Sequence, residues 1–192
     1  MMQSSFGRMS MDKVTGHANP DGPPWLWHGN LLPGEITLLT SMWKTGKTTL
    51  LAGLLRAMRE GGQFLGQPLR KGRAMIVSEE SVMHWADRQR TIPLGIHVSL
   101  IARPFRGKPT IDDWNKLLEE AFDVKVNEGL DLFVVDPLAS FLTGRSESDA
   151  ATLLAMLKPL HGLAMLGVAV LICITRASVI LRSACRPGAA GH

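Results

Sequence analysis

Three groups of residues in this chain have the types and spacing to do chemistry: Lys47-Thr48, Glu79-Glu80 and the isolated Asp136. The first group lies within Ser41-Met-Trp-Lys-Thr-Gly-Lys-Thr-Thr49. The backbone N–H groups of such a loop, and of a helix opening from it, make a site for anionic phosphate. In the pattern G-x-x-x-x-G-K-[ST] the lysine reaches the β- and γ-phosphates and the hydroxyl ligates Mg²⁺. Gly46, Lys47 and Thr48 match this pattern, and Ser41 stands where its first glycine would be. Glycine there tolerates dihedrals that serine adopts only at a cost. The contacts expected for ATP are therefore Ser41, Met42, Trp43, Lys44, Thr45, Gly46, Lys47, Thr48 and Thr49, with Thr48 on the metal.

These residues need elements to hold them. An apolar run at 35–39 reads as a strand, and helix formers at 50–58 read as a helix that Gly61-Gly62 ends. Phe64-Leu-Gly66 and a basic loop lead to a second buried strand, 74–78, with Glu79 and Glu80 at its carboxyl end. That end of a strand faces the crevice where open α/β sheets bind ligands. One of the two glutamates is expected to polarise a water toward a γ-phosphate. The alternative is that both cap the following helix, where acidic residues are favoured.

A helix at 81–90 with Trp85 inward, a strand at 98–102 and the segment Arg103-Pro-Phe-Arg106 follow. Residues 110–127 are amphipathic, with Ile111, Trp114, Leu117, Leu118, Ala121 and Phe122 at helical spacing. An apolar strand at 132–135 then ends in Asp136-Pro137. A carboxylate placed there orients Mg²⁺ through its water shell. A polar loop at 141–148, a helix at 150–166 containing Pro159 and a strand at 168–174 complete the pattern. Alternating strands and helices predict an α/β fold, a mostly parallel sheet with helices on both faces.

At 192 residues the chain is about one domain, with enough apolar content, 45%, for a real core. The net charge of +4 is too small and dispersed to argue for nucleic acid by itself. Two cysteines, Cys173 and Cys185, have no metal-ligand spacing and imply no disulfide framework, so a reducing, cytoplasmic compartment is expected. The longest apolar stretch, 160–174, is interrupted by His161, Gly162 and Gly167 and is too short to span a bilayer. Residues 1–24 lack periodicity and are expected to be disordered. Trp25 and Trp27 can stack on an adenine or fill the core.

Together the motifs resemble RecA-like P-loop ATPases, most closely the RepA-like hexameric helicase branch. The resemblance rests on Lys44-Thr-Gly-Lys-Thr48, Phe64-Leu-Gly66, Ser78-Glu-Glu80 and Leu132-Phe-Val-Val-Asp-Pro-Leu138, and covers 25–173. It implies that Lys47 contacts the phosphates, that Thr48 and Asp136 hold Mg²⁺, and that Glu79 activates the attacking water. It further implies DNA as a partner and a homo-hexameric ring. A KaiC-like nucleotide-dependent switch without unwinding activity is the alternative.

The resemblance breaks near the C-terminus. The family strand ends in His-His-x-Arg-Lys, whereas this chain reads Ile172-Cys-Ile-Thr-Arg-Ala-Ser178. One base added after the Cys173 codon permits Ile-Cys-His-His-Pro-Arg-Lys. In the same frame the last seven residues, Arg186 to His192, can encode the family's Ala-Arg-Gly-Ser-Gly-Ala. The expectation is a frameshifted tail at 174–192, the C-terminal strands of the family fold missing, and a weakened or inactive remnant.

Overall fold

The computed structural model describes residues 9–14, 16, 19, 22–42, 45–142 and 150–176. Trp43, Lys44, Arg145 and 177–192 therefore lie outside the described residues, as does most of 1–24. A four-residue helix, α1 (Met11–Val14), stands in the N-terminal stretch expected to be without structure.

Seven strands and four longer helices follow: β1 (Ile36–Met42), α2 (Lys47–Ala57), β2 (Gly62–Phe64), β3 (Gln67–Leu69), β4 (Ala74–Ser78), α3 (Val82–Thr91), β5 (Val98–Ala102), α4 (Ile111–Asn127), β6 (Leu132–Asp136), α5 (Ala150–Met165) and β7 (Ala169–Arg176). Five strands form one sheet in the order β1-β7-β6-β4-β5, every pair parallel. This is the α/β architecture anticipated from the alternation of elements. Parallel neighbours need crossover connections, and α2, α3, α4 and α5 supply them.

Successive residues of a strand point to opposite faces, so a strand buried on both reads as a continuous apolar run. β6 shows this: Leu132 and Val134 enter one core, Phe133 and Val135 the other. Ile76 and Leu171 lie on the first side, Val77 and Ile172 on the second. The first core is closed by Leu51, Leu54 and Leu55 of α2, by Met58 at its C-cap and by Trp85 of α3. The second is closed by Trp114, Leu117 and Leu118 of α4 and by Met156, Leu160 and Leu163 of α5. Burying each such side chain contributes about 1.5–3 kcal/mol. The sheet is the wall between the two cores.

Local signals set the helix ends. The Ser81 hydroxyl accepts from the His84 N–H at 3.3 Å and caps α3. Thr110 and Asp113 form a reciprocal capping box at the start of α4. Those hydrogen bonds from Thr110, its backbone N–H foremost, hold the Asp113 carboxyl below its ordinary range.

Residues 62–69, expected as a loop, form an antiparallel hairpin of β2 and β3. Its turn is Leu65-Gly66, at φ 50° and 76°. Two positive φ values in a two-residue turn match the right-handed twist of the flanking strands. Strands of three residues carry too little alternation to be legible in a sequence.

β7 also runs further than anticipated, through Arg176, with Ser41 in register with Thr175 and Met42 with Arg176. The sheet thus extends three residues past Cys173.

Candidate nucleotide site

All the chemistry-bearing residues converge at the carboxyl ends of β1, β4, β6 and β7. Gly46 sits at φ 85°, the left-handed region, immediately before Lys47 opens α2. Only glycine adopts that dihedral without strain, and it turns the chain from strand into helix. The N-terminus of α2 therefore points its free N–H groups at the crevice, with no side chain capping them. Thr45 closes the turn, its hydroxyl donating to the Met42 carbonyl at 2.8 Å.

The crevice is a half-open cavity of about 270 Å³, lined by Met42, Thr45–Thr49, Glu79, Glu80, Arg88, Asp136, Pro137 and Thr175. Lys47 donates from Nζ to Thr175 Oγ1 at 2.5 Å, and the Thr48 hydroxyl donates to Asp136 Oδ2 at 3.2 Å. Asp136 is 3% exposed. Its burial pushes the carboxyl above the ordinary carboxylate range; the Lys47 ammonium and the Thr48 hydroxyl pull it back, and Glu80 and Glu79 add to the rise. Cys173, fully buried, packs against the same carboxylate, and its thiol is pushed up, chiefly by burial.

The two glutamates have different partners. Glu80 is held by Arg88 in a forked ion pair, Nη1 to Oε2 at 2.6 Å and Nη2 to Oε1 at 3.3 Å. The Arg88 guanidinium lies over the Trp85 ring, 4.6 Å from its centroid. Glu79 instead accepts a short hydrogen bond from the Ser140 hydroxyl, and its N–H donates to the Asp136 carbonyl at 3.1 Å. Neither caps α3, because Ser81 does so. The capping alternative for the glutamates falls on that point.

Among the expected phosphate contacts, Met42, Thr45, Gly46, Lys47, Thr48 and Thr49 line the cavity. Ser41 does not. It belongs to β1, paired with Thr175, and its hydroxyl donates to the Met42 carbonyl at 3.2 Å. Its φ is not positive, so the dihedral cost expected for serine at this position is absent. Trp27 is also elsewhere: its Nε1 donates to the Phe64 carbonyl at 3.1 Å and its ring packs edge-on against Phe64. Trp25 packs near His28, and neither tryptophan faces the cavity.

Arg88, Pro137, Ser140 and Thr175 were not singled out from the sequence. Thr175 reaches Lys47 only through the β1–β7 register, which no local pattern encodes. The Arg88–Glu80 pair spans eight residues across a helix start, outside the three- and four-residue spacings of helical pairs.

Thr48 and Asp136 offer a hydroxyl and a carboxylate side by side, the hard oxygen donors that Mg²⁺ takes. The buried carboxylate is the local negative charge a cation would neutralise, so the residues fit that ion. Among the described residues no three His, Cys, Asp or Glu are grouped so as to hold a metal ion. No helix among them is long and apolar enough to cross a membrane.

No curated protein matches the chain. Among solved structures it is similar to a KaiC-like protein from the hyperthermophilic archaeon Pyrococcus horikoshii OT3. The TM-score is 0.58 and the identity 18%, over 81% of this chain and 68% of that one. That likeness gives the fold, a RecA-like P-loop architecture. The AAA domain family matches residues 4–174. That match takes in six strands and most of β7, and every lining residue of the cavity except Thr175, so the chain belongs to the AAA domain family.

Proposed function

We propose that this protein binds ATP with Mg²⁺ in the crevice and hydrolyses the terminal phosphoanhydride. The observation that carries the reading is one cavity lined by Lys47, Thr48, Glu79 and Asp136, residues the fold gathers from three strand ends. In this reading the N–H groups at the start of α2 and the Lys47 ammonium hold the β- and γ-phosphates. In the chain as it stands Thr175 accepts from Nζ; the restored frame would put a histidine at that position, so the role given to Lys47 does not depend on Thr175. Thr48 and Asp136 would hold Mg²⁺, which when bound neutralises phosphate charge. Glu79 takes a proton from a water as that water's oxygen attacks the γ-phosphorus in line, and the bond to the ADP oxygen breaks. Glu80, neutralised by Arg88, is left out of the proton transfer.

We further propose that turnover is coupled to DNA within a homo-hexameric ring, as the resemblance to RepA-like helicases implies. A nucleotide-dependent switch or assembly module competes with this. It is the reading under which the likeness to a KaiC-like protein extends beyond the fold. The third proposal concerns the tail: 174–192 is read out of frame. The family match ends at 174, one residue past the proposed frame change, which supports it.

Magnesium-dependent ATP turnover, with and without single-stranded DNA, tests these proposals on this chain and on a frame-restored version. Stimulation by DNA favours the helicase reading, and turnover indifferent to DNA favours the switch. Nucleotide binding unchanged in Lys47→Ala would overturn the site itself. An unambiguous gene sequence lacking the extra base would show that the reading frame through 174–192 is the protein's own.

A further inference from the structure

Glu79 is exposed, at the tip of a strand, where a free glutamate samples many rotamers. Three contacts restrain it, and all come from distant parts of the chain. The Ser140 hydroxyl donates to Oε2. Arg103 Nε donates to the Glu79 carbonyl at 3.0 Å. The Glu79 N–H is tied to the Asp136 carbonyl.

The two side-chain donors are themselves built in. Ser140 lies on a single 3₁₀ turn, Leu138–Phe141, directly after Asp136-Pro137, and its N–H donates to the Pro137 carbonyl at 3.3 Å. The next residue, Phe141, is buried and stacks at 21° on Trp114, with Phe105 edge-on to it. Trp114 is anchored in turn by its Nε1 donating to the Met156 carbonyl at 3.1 Å. The turn that presents the Ser140 hydroxyl is thus pinned from below by an aromatic cluster. Arg103 has φ 48°, a left-handed conformation that strains a non-glycine residue. That backbone directs the guanidinium back over the end of β4, and the Arg103 main-chain N–H donates to the Ser78 carbonyl at 2.8 Å.

We infer that Ser140 and Arg103 are positioning residues, a two-point brace with Ser140 on the carboxylate and Arg103 on the main-chain carbonyl, that holds Glu79 at the mouth of the phosphate cavity. The inference rests on the reading of Glu79 as the base that activates water. Its physical content is that an unbraced carboxylate spends most of its time out of line with the γ-phosphorus, and misplacement by about 1 Å can cost roughly 10²-fold in rate. The brace also couples the base to the segment after Asp136, so the residues that hold the metal and the residue that activates water move together.

The test uses the full chain. Ser140→Ala is expected to lower kcat roughly 10-fold or more while the Kd of a nonhydrolysable ATP analogue stays within about twofold, and Ser140→Thr is expected to restore most of the rate. Arg103→Gly removes both the donor and the backbone strain, so its Tm should hold while kcat falls. Unchanged kcat in Ser140→Ala, or a loss of rate matched by loss of analogue binding, overturns the brace. If the parent shows no turnover above Lys47→Ala, the hydrolytic reading fails, and the brace is decided by thermal melts. Ser140→Ala and Glu79→Ala should then each lower Tm, with the double variant no worse than the larger single loss. Additive losses overturn it.

Discussion

The Thr48 hydroxyl donates to Asp136 Oδ2 at 3.2 Å, joining the first turn of α2 to the end of β6 across 88 residues of chain. Neighbouring strands do not make this contact, because β7 lies between β1 and β6 in the sheet. The two carboxyl ends meet over the top of β7, and the crevice they enclose is where the proposed chemistry takes place.

Lys47→Ala removes the only lysine lining the cavity, as seen in the described residues. Hydrogen bonds to charged groups contribute about 1.5–3 kcal/mol, so affinity for an ATP analogue should fall roughly 10- to 100-fold. Isothermal titration with the parent as reference measures this. Melting temperature should also fall at neutral pH, because the ammonium is the charge that offsets the buried Asp136 carboxylate.

Glu79→Gln keeps the shape of the side chain and an oxygen for Ser140, but it cannot take a proton. Turnover should drop by about 10²–10⁴-fold with analogue affinity retained. A single-turnover assay separates the two. The same substitution at Glu80 should act differently. It discharges one side of the ion pair with Arg88, so its effect should appear in stability and binding before it appears in the chemical step.

Asp136 supplies the pH dependence. Its carboxyl is raised in the folded chain, chiefly by burial. Between the ordinary carboxylate value and the raised one, the folded chain keeps a proton that the unfolded chain has lost, so stability falls as pH rises through that interval. Asp136→Asn should remove this slope and raise the melting temperature of the nucleotide-free protein at neutral pH, while abolishing the stabilisation given by Mg²⁺ with nucleotide. Melts across pH 4–8 (about the span where carboxylates titrate when raised) would show both effects. A variant less stable than the parent at neutral pH would contradict the assignment of burial as the dominant cause.

Cys173 is buried against Asp136, and its thiol is pushed up by desolvation first and by that carboxylate second. The thiolate is the reactive form. Alkylation at neutral pH should therefore be slow in the folded protein and fast in denaturant, as read by mass spectrometry of the Cys173 peptide.

Gly61 has φ 74°, and a Cβ there would sit 2.7 Å from the Lys71 backbone nitrogen. Gly61→Ala should cost more than about 1 kcal/mol, because both the dihedral and the space are wrong. Urea unfolding is the measurement. Gly62→Ala offers a contrast at φ 98° with nothing in its way. It should cost the dihedral strain alone.

Much of this molecule is written locally. β4, β5 and β6 fall close to where short apolar runs end in polar or turn residues. Gly46-Lys47-Thr48, Glu79 and Asp136 are identifiable because each punctuates such a run. A buried parallel strand leaves that signature, since both of its faces need apolar residues and its carboxyl end meets solvent. The tertiary structure alone decided what depends on register and on contacts between distant segments: Thr175 beside Lys47, Arg88 on Glu80, Ser140 on Glu79, and Ser41 held unstrained within β1. Hydrogen bonds across dozens of residues leave no periodic trace in a chain, because the spacing that brings the partners together is set by strand order and sheet pairing.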